Sequence, residues 1–179
     1  MGVAFTLADV DVDESWHPGE TPSDYVLRIA RDKALSAHAR LDAGALVLAA
    51  DTTVVLDEQI LGKPGDAAEA RRMLERLSGR EHTVLSGVAL AGTGCALRLS
   101  ASRVRLRATS AAERNAYVAT GEPMDKAGAY AIQGRAAVFV EYLAGSYSGV
   151  MGLPLFETAE LLRAAGVPIL PEIKRDAGV

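Results

Sequence analysis

The sequence is poor in the residues that staple a fold or tie it to other cellular structures. Of 179 residues only Cys95 is a cysteine, which excludes an intramolecular disulfide and any multi-cysteine metal site. A reducing compartment, the cytoplasm, is the expected setting. Aromatic residues make up 5% against 49% hydrophobic, so a core would be built mainly from Ala, Val and Leu, in the globular range rather than the disordered one. Apolar stretches such as Ala43 to Ala50 fall far short of the ~20 residues a membrane span requires. The amino terminus has no basic segment leading into an apolar run and a small-residue cleavage site, so neither a membrane anchor nor secretion is expected. A net charge of −4 disfavours broad nucleic-acid binding, which wants a basic face, and leaves room for a local basic pocket.

There is no internal repeat, low-complexity tract or Pro/Gly/Ser linker, so the chain reads as continuous folded structure. A chain of this length forms one domain, or two small lobes about a cleft. Thr21 as a cap, Pro22 at the first helical position and Asp24 three residues after the cap open a helix with Val26, Ile29, Ala30 and Lys33–Ala34 at helical spacing. The run from Ala45 to Leu56 reads as a buried strand interrupted only by Asp51, Thr52 and Thr53, with a turn after it at Asp57 to Gln59. Asp66 with Glu69 caps a second helix closed by Gly79. Two strands flank Gly92-Thr93-Gly94 as an antiparallel hairpin with one wet face, where Leu97, Leu99, Val104 and Leu106 alternate with Arg98, Arg103, Arg105 and Arg107. Ser110 with Glu113 opens a third helix ending at Gly121. An irregular segment EPMDKAGAYAIQG, a strand AAVFVEYL, a Gly-rich turn and a last helix from Pro154 to about Ala165 complete the chain. Interleaved strands and helices predict an α/β fold, a mixed twisted sheet with flanking helices.

Asp51 is the first candidate for chemistry. A carboxylate in so apolar a run must be partnered or sit where the strand emerges, and it is placed at the strand's carboxyl end, where ligands bind in α/β sheets. The alternative is that Asp51 caps a turn or bonds neighbouring backbone. Lys63, between Gly62 and Pro64, suits presentation of an ammonium to an anion, and Lys33 lies near the apolar stripe of the first helix. The irregular segment offers Glu122, Asp125 and Gln133. Its acids could hold magnesium or manganese with Asp51, and the Gln133 amide could read a base edge. Asp9, Asp11 and Asp13 read as a solvated edge, leaving Glu14 as the site candidate of that run. His17, His38 and His82 have no metal-ligand spacing, and GxSxG, Walker-type and HExxH motifs are absent.

DVDE with PGETPSDYVLRIARDKA, then AADTTVVLDEQILGKP, EPMDKAGAYAIQG and YSGVMGLPLFET together resemble the Maf family of nucleoside triphosphate pyrophosphatases, from about Asp9 to about Leu170. ADTTVVLD with DKAGAYAIQG resembles the branch that hydrolyses dTTP and UTP. The resemblance implies a Maf/ITPase-like fold and cleavage between the α- and β-phosphates to a monophosphate and pyrophosphate, with a divalent cation. It implies Asp51, Glu14 and Lys63 as catalytic, and Thr52, Gln133, Lys33 and Lys126 as substrate-binding. Asp51, Glu14 and Asp125 would be the metal ligands, and a homodimer is expected. It also implies a strand and a Leu-Ala-Ser-x-Ser-x-Arg-Arg loop before the point where Met1 stands, so one domain over residues 1–179 without that strand and loop is expected. A catalytically impaired nucleotide-binding or regulatory protein linked to septum formation is the alternative.

Overall fold

The computed structural model describes residues 1–42 and 44–170; residues 43 and 171–179 of the expected single domain lie outside the described residues. Helix α1 (Pro22–His38) begins as its sequence requires. Thr21 accepts from the Asp24 backbone N–H at 3.2 Å and returns its own proton to the Asp24 carboxylate at 2.7 Å. The remaining elements in order are β1 (Val47–Leu56), β2 (Gln59–Leu61), α2 (Ala67–Leu77), β3 (Glu81–Ala91), β4 (Cys95–Leu106), α3 (Ala111–Val118), β5 (Val140–Ala144), α4 (Tyr147–Val150) and α5 (Leu155–Ala164). Asp66 caps α2, and Ser110 with Glu113 forms a reciprocal capping box on α3.

The strands form one five-stranded sheet in the order β2-β1-β3-β4-β5. The α/β class and the flanking helices are as expected, and neighbouring strands pair antiparallel at all four junctions among the described residues. Same-direction strands arise only across an intervening one. β2 and β3 both pair with β1 and are joined over it by α2, which is how interleaved helices coexist with antiparallel neighbours.

Period-two alternation divides the sheet. On one face Val47, Ala49, Ala89 and Ala91 pack under Ala30, Ala34 and Ala37 of α1. On the other, Val54, Val84, Val104 and Leu106 meet α2, α3 and the segment after α3, while Leu48, Ala50, Val88 and Leu90 meet Leu161 and Leu162 of α5. Within β4 the same rule modifies the expected pattern. Ser100, Ser102, Val104 and Leu106 are the buried set, whereas Leu97 and Leu99 share the opposite face with Arg103 and Arg105, since the register with β3 runs unbroken from Glu81 to Ala91. The expected strand AAVFVEYL is a 3₁₀ turn over Arg135–Phe139 before β5 begins, because burying Ala136 and Phe139 while leaving Val138 outside needs a period of three. The glycine-rich turn contains the short α4, capped by Ser146.

Alanine packing brings α1 close to the sheet. Closest is Gly87 on β3, where an added Cβ would lie 2.6 Å from the Val26 carbonyl oxygen.

His82 on β3 is buried against the Tyr130 hydroxyl, 2.8 Å from Nε2, while Nδ1 has no partner among the described residues. Burial pulls its pKa from 6.5 down to about 4. The sign follows: below 6.5 the unfolded chain binds a proton the folded chain refuses, so stability falls as pH drops from 6.5 toward about 4. Between about pH 7 and about pH 5 the native protein should lose about 2 kcal/mol more than a His82→Gln variant, read from urea unfolding.

Candidate active site

The site is organised on β1. Asp51 stands in the middle of this strand, paired across to Gly87, and not at its carboxyl end. What exposes it is the sheet's edge. β2 is three residues long and pairs only with Val54, Val55 and Leu56, so the flank of β1 at Asp51 and Thr52 has no strand beside it among the described residues. A cleft of about 270 Å³ opens there, lined by Asp51, Thr52, Lys63, Lys126, Gln133 and Met151 among others.

Adjacent residues of a strand point to opposite faces, and Asp51 and Thr52 divide accordingly. Asp51 turns toward α1. Lys33 lies seven residues, about two turns, after Val26 on the same helical face, and its Nζ donates to Asp51 Oδ1 at 2.8 Å. The same ammonium meets Glu14 Oε1 at 2.6 Å, so one nitrogen joins both carboxylates.

Glu14 belongs to no regular element and is positioned by side chains from α1. Arg28 donates from Nε to Glu20 Oε1 at 2.6 Å and from one terminal nitrogen to the Ser15 carbonyl at 2.8 Å, and the Tyr25 hydroxyl donates to the Glu14 carbonyl at 3.0 Å. Arg28, Glu20 and Tyr25 hold the segment that carries Glu14, a role that sequence reading does not single out. Their signal was present only as Tyr25 and Arg28 spaced three apart beside the Lys33 face.

With its side chain 14% exposed, Asp51 is the most enclosed member of the trio. Burial raises its pKa above the ordinary carboxylate value and outweighs Lys33 and Lys63, which pull it down. For Lys33, burial alone would lower the pKa, but the hydrogen bonds to Asp51 and Glu14 reverse this and the net direction is up. Enclosure acts on the whole Asp51 carboxylate while the ammonium meets one of its oxygens, so burial sets the net direction at Asp51. The result is a carboxylate more basic than usual, beside an ammonium that stays charged.

On the other face, Thr52 is hydrogen-bonded to Ser86 at 2.7 Å. Lys63 follows β2, and the irregular segment after α3 is tied to this loop where Gly128 N–H donates to the Gly62 carbonyl at 3.0 Å. Gly128 is required there, with φ +68 and the Val54 side chain 2.9 Å from any Cβ. This tie brings Lys126 and Asp125 to the cleft, paired with each other at 2.8 Å, and Gln133 completes its far wall. The structure therefore brings Asp51, Thr52, Lys63, Asp125, Lys126 and Gln133 to one cleft, with Lys33 joining Asp51 to Glu14.

Glu122 is a correction. It accepts from the Tyr117 hydroxyl at 3.0 Å and from the Arg135 backbone N–H at 2.9 Å, so it clamps the irregular segment rather than joining Asp51. Among the described residues no three His, Cys, Asp or Glu side chains gather as a metal-binding group. Magnesium, however, commonly takes one or two carboxylates plus substrate phosphates. Glu14 and Asp51 could form that smaller set, since both present an oxygen within 2.8 Å of one cationic nitrogen, and Asp125, paired with Lys126 at 2.8 Å, lines the same cleft.

No helix among the described residues is long and apolar enough to cross a membrane. The family model described as Maf-like protein matches residues 1–165. The chain is 55% identical over 166 residues to a protein of Aromatoleum aromaticum named dTTP/UTP pyrophosphatase, covering 90% of this chain and 81% of that protein. Proteins of the same name from Methylococcus capsulatus and Bordetella parapertussis are 55% and 56% identical, covering 93% and 88% of this chain and 83% and 78% of theirs. A match of this extent, over a chain whose cleft gathers the candidate carboxylate and lysines, establishes that the chain belongs to the Maf-like protein family.

Proposed function

We propose that this chain is a nucleoside triphosphate pyrophosphatase that hydrolyses dTTP and UTP to the monophosphate and pyrophosphate. The observation that carries the reading is Asp51: a carboxylate made more basic by burial, held by Lys33, at the open flank of β1 where the cleft reaches it. The relatives named dTTP/UTP pyrophosphatase support the substrate class.

The base lies on the Thr52 side of the strand, against Gln133, and the phosphates lie toward Lys63, Lys126 and Lys33. Phosphoryl transfer is governed by positioning and charge compensation, which lysines on three separate segments supply. Asp51 takes a proton from water, the water oxygen bonds to the α-phosphorus, and the bond from that phosphorus to the bridging oxygen breaks, releasing pyrophosphate. Lys33 keeps the Asp51 carboxylate oriented, and Glu14 shares the load of the ammonium. A divalent cation, magnesium or manganese, held by Glu14 and Asp51 with the substrate's own phosphates, would supply further charge neutralisation. The free, exposed thiol of Cys95 supports a reducing, cytoplasmic setting.

A turnover panel tests this reading. With magnesium or manganese present, pyrophosphate should appear from dTTP and UTP well ahead of CTP and the purine triphosphates. A protein that releases none from any of them contradicts it.

A further inference from the structure

Thr52 and Ser86 stand directly opposite each other on β1 and β3, with hydroxyl oxygens 2.7 Å apart. Thr52 lines the cleft, while Ser86 lies behind it, 1% exposed. The Ser86 hydroxyl also lies 2.7 Å from the Gly149 carbonyl oxygen, to which it donates. That carbonyl is fixed in place by the α4 turn, where it accepts from the Gly152 N–H at 2.9 Å.

A carbonyl oxygen only accepts, and a serine hydroxyl has one proton to give. With that proton on Gly149, the bond between Thr52 and Ser86 has to use the proton of Thr52. The chain therefore runs one way, from Thr52 to Ser86 to Gly149. Thr52 is left with lone pairs, and no proton, to show the cleft.

We propose that Ser86, a positioning residue that touches no substrate, fixes Thr52 as a hydrogen-bond acceptor and thereby selects bases presenting a ring N–H. This deepens, and rests on, the reading of the cleft as a pyrimidine nucleotide site. Uracil and thymine carry an imide N3–H that meets such an acceptor, while the N3 of cytosine is itself an acceptor and meets it lone pair to lone pair. A site whose buried polar groups are committed in this way discriminates far more strongly than a shape-matched apolar wall.

The test compares kcat/KM for UTP and CTP in the native protein, Ser86→Ala, Ser86→Thr, Thr52→Val and the Thr52→Val/Ser86→Ala double variant. The native protein should favour UTP. Ser86→Ala releases the Thr52 proton to serve an acceptor, so the UTP/CTP ratio should fall at least ~10-fold, with CTP turnover rising as UTP turnover falls. Ser86→Thr, which keeps a hydroxyl, should retain most of the ratio. In the Thr52→Val background, removing Ser86 should leave the ratio unchanged, because the reader it acts through is gone.

A parallel loss for both nucleotides in Ser86→Ala means a structural role only and overturns the proposal. Equal native turnover of UTP and CTP also overturns it while leaving the pyrophosphatase reading intact. If the native protein hydrolyses neither, the enzymatic reading fails, and the ratio is read instead from calorimetric binding of UMP and CMP. The same narrowing in Ser86→Ala then supports the acceptor role, and equal or absent native binding refutes it.

Discussion

Replacing Asp51 with Asn should lower kcat for dTTP and UTP by roughly 10²- to 10⁴-fold with little change in KM, the range expected when a positioned general base is removed. The substitution is nearly isosteric, and the amide oxygen can still accept from Lys33, which also keeps Glu14. Global unfolding should therefore change little, and the loss belongs to proton transfer. The native pH profile supplies a second readout. A base works deprotonated, and burial raises Asp51 above the ordinary carboxylate value of 3.8, so kcat/KM should fall on the acid side through a pKa above that value. Asp51→Asn turnover equal to native would remove Asp51 from the chemistry.

Gly87→Ala should lower stability and activity together. The added Cβ would meet the Val26 carbonyl oxygen at 2.6 Å and its carbon at 2.9 Å, both helix backbone, so no rotamer change relieves the contact. α1 has to move away from the sheet. Overpacking of this kind costs about 1–3 kcal/mol, seen as a lower urea midpoint at an unchanged slope. The same helix carries Lys33 two turns beyond Val26, and Gly87 lies directly across from Asp51, so separating helix from strand should lengthen the 2.8 Å pair and lower kcat as well. Gly94→Ala is the control. Among the described residues nothing lies within 4 Å of its Cβ position, and both properties should stay near native.

Much of this was legible in local signals. The caps at Thr21, Asp66 and Ser110 start helices where they stand, because each side chain satisfies an N–H that the first turn would leave bare. The polar interruption at Asp51 marked the site because an unpaired buried carboxylate is expensive, and the structure gives it the Lys33 ammonium. What stayed hidden depends on partners distant along the chain. Asp51 looked like a strand end because polar residues usually are. Its access comes instead from a strand of three residues that covers only part of β1, and no local pattern shows how far a neighbour extends. Glu122 looked like a ligand because it is an acid in a polar loop, yet its partners, Tyr117 and the Arg135 N–H, make it a clamp. The Thr52–Ser86–Gly149 chain joins residues 34 and 63 positions apart, beyond any periodicity argument.

Arg28 illustrates the same limit from the energetic side. It looks like one more charged residue on a helix, but its hydrogen bonds to Glu20 and to the Ser15 carbonyl hold an otherwise irregular segment against α1. Because Glu20 is bound by the guanidinium, its carboxyl is held below the usual range. The same segment carries Glu14, whose Oε1 meets Lys33 at 2.6 Å.

The most direct measurement is the identity of the products when the purified protein is given UTP and magnesium. UMP and pyrophosphate in equal amounts, lost in Asp51→Asn, are the expected result. UDP and orthophosphate, or saturable UTP binding with no turnover, would contradict it.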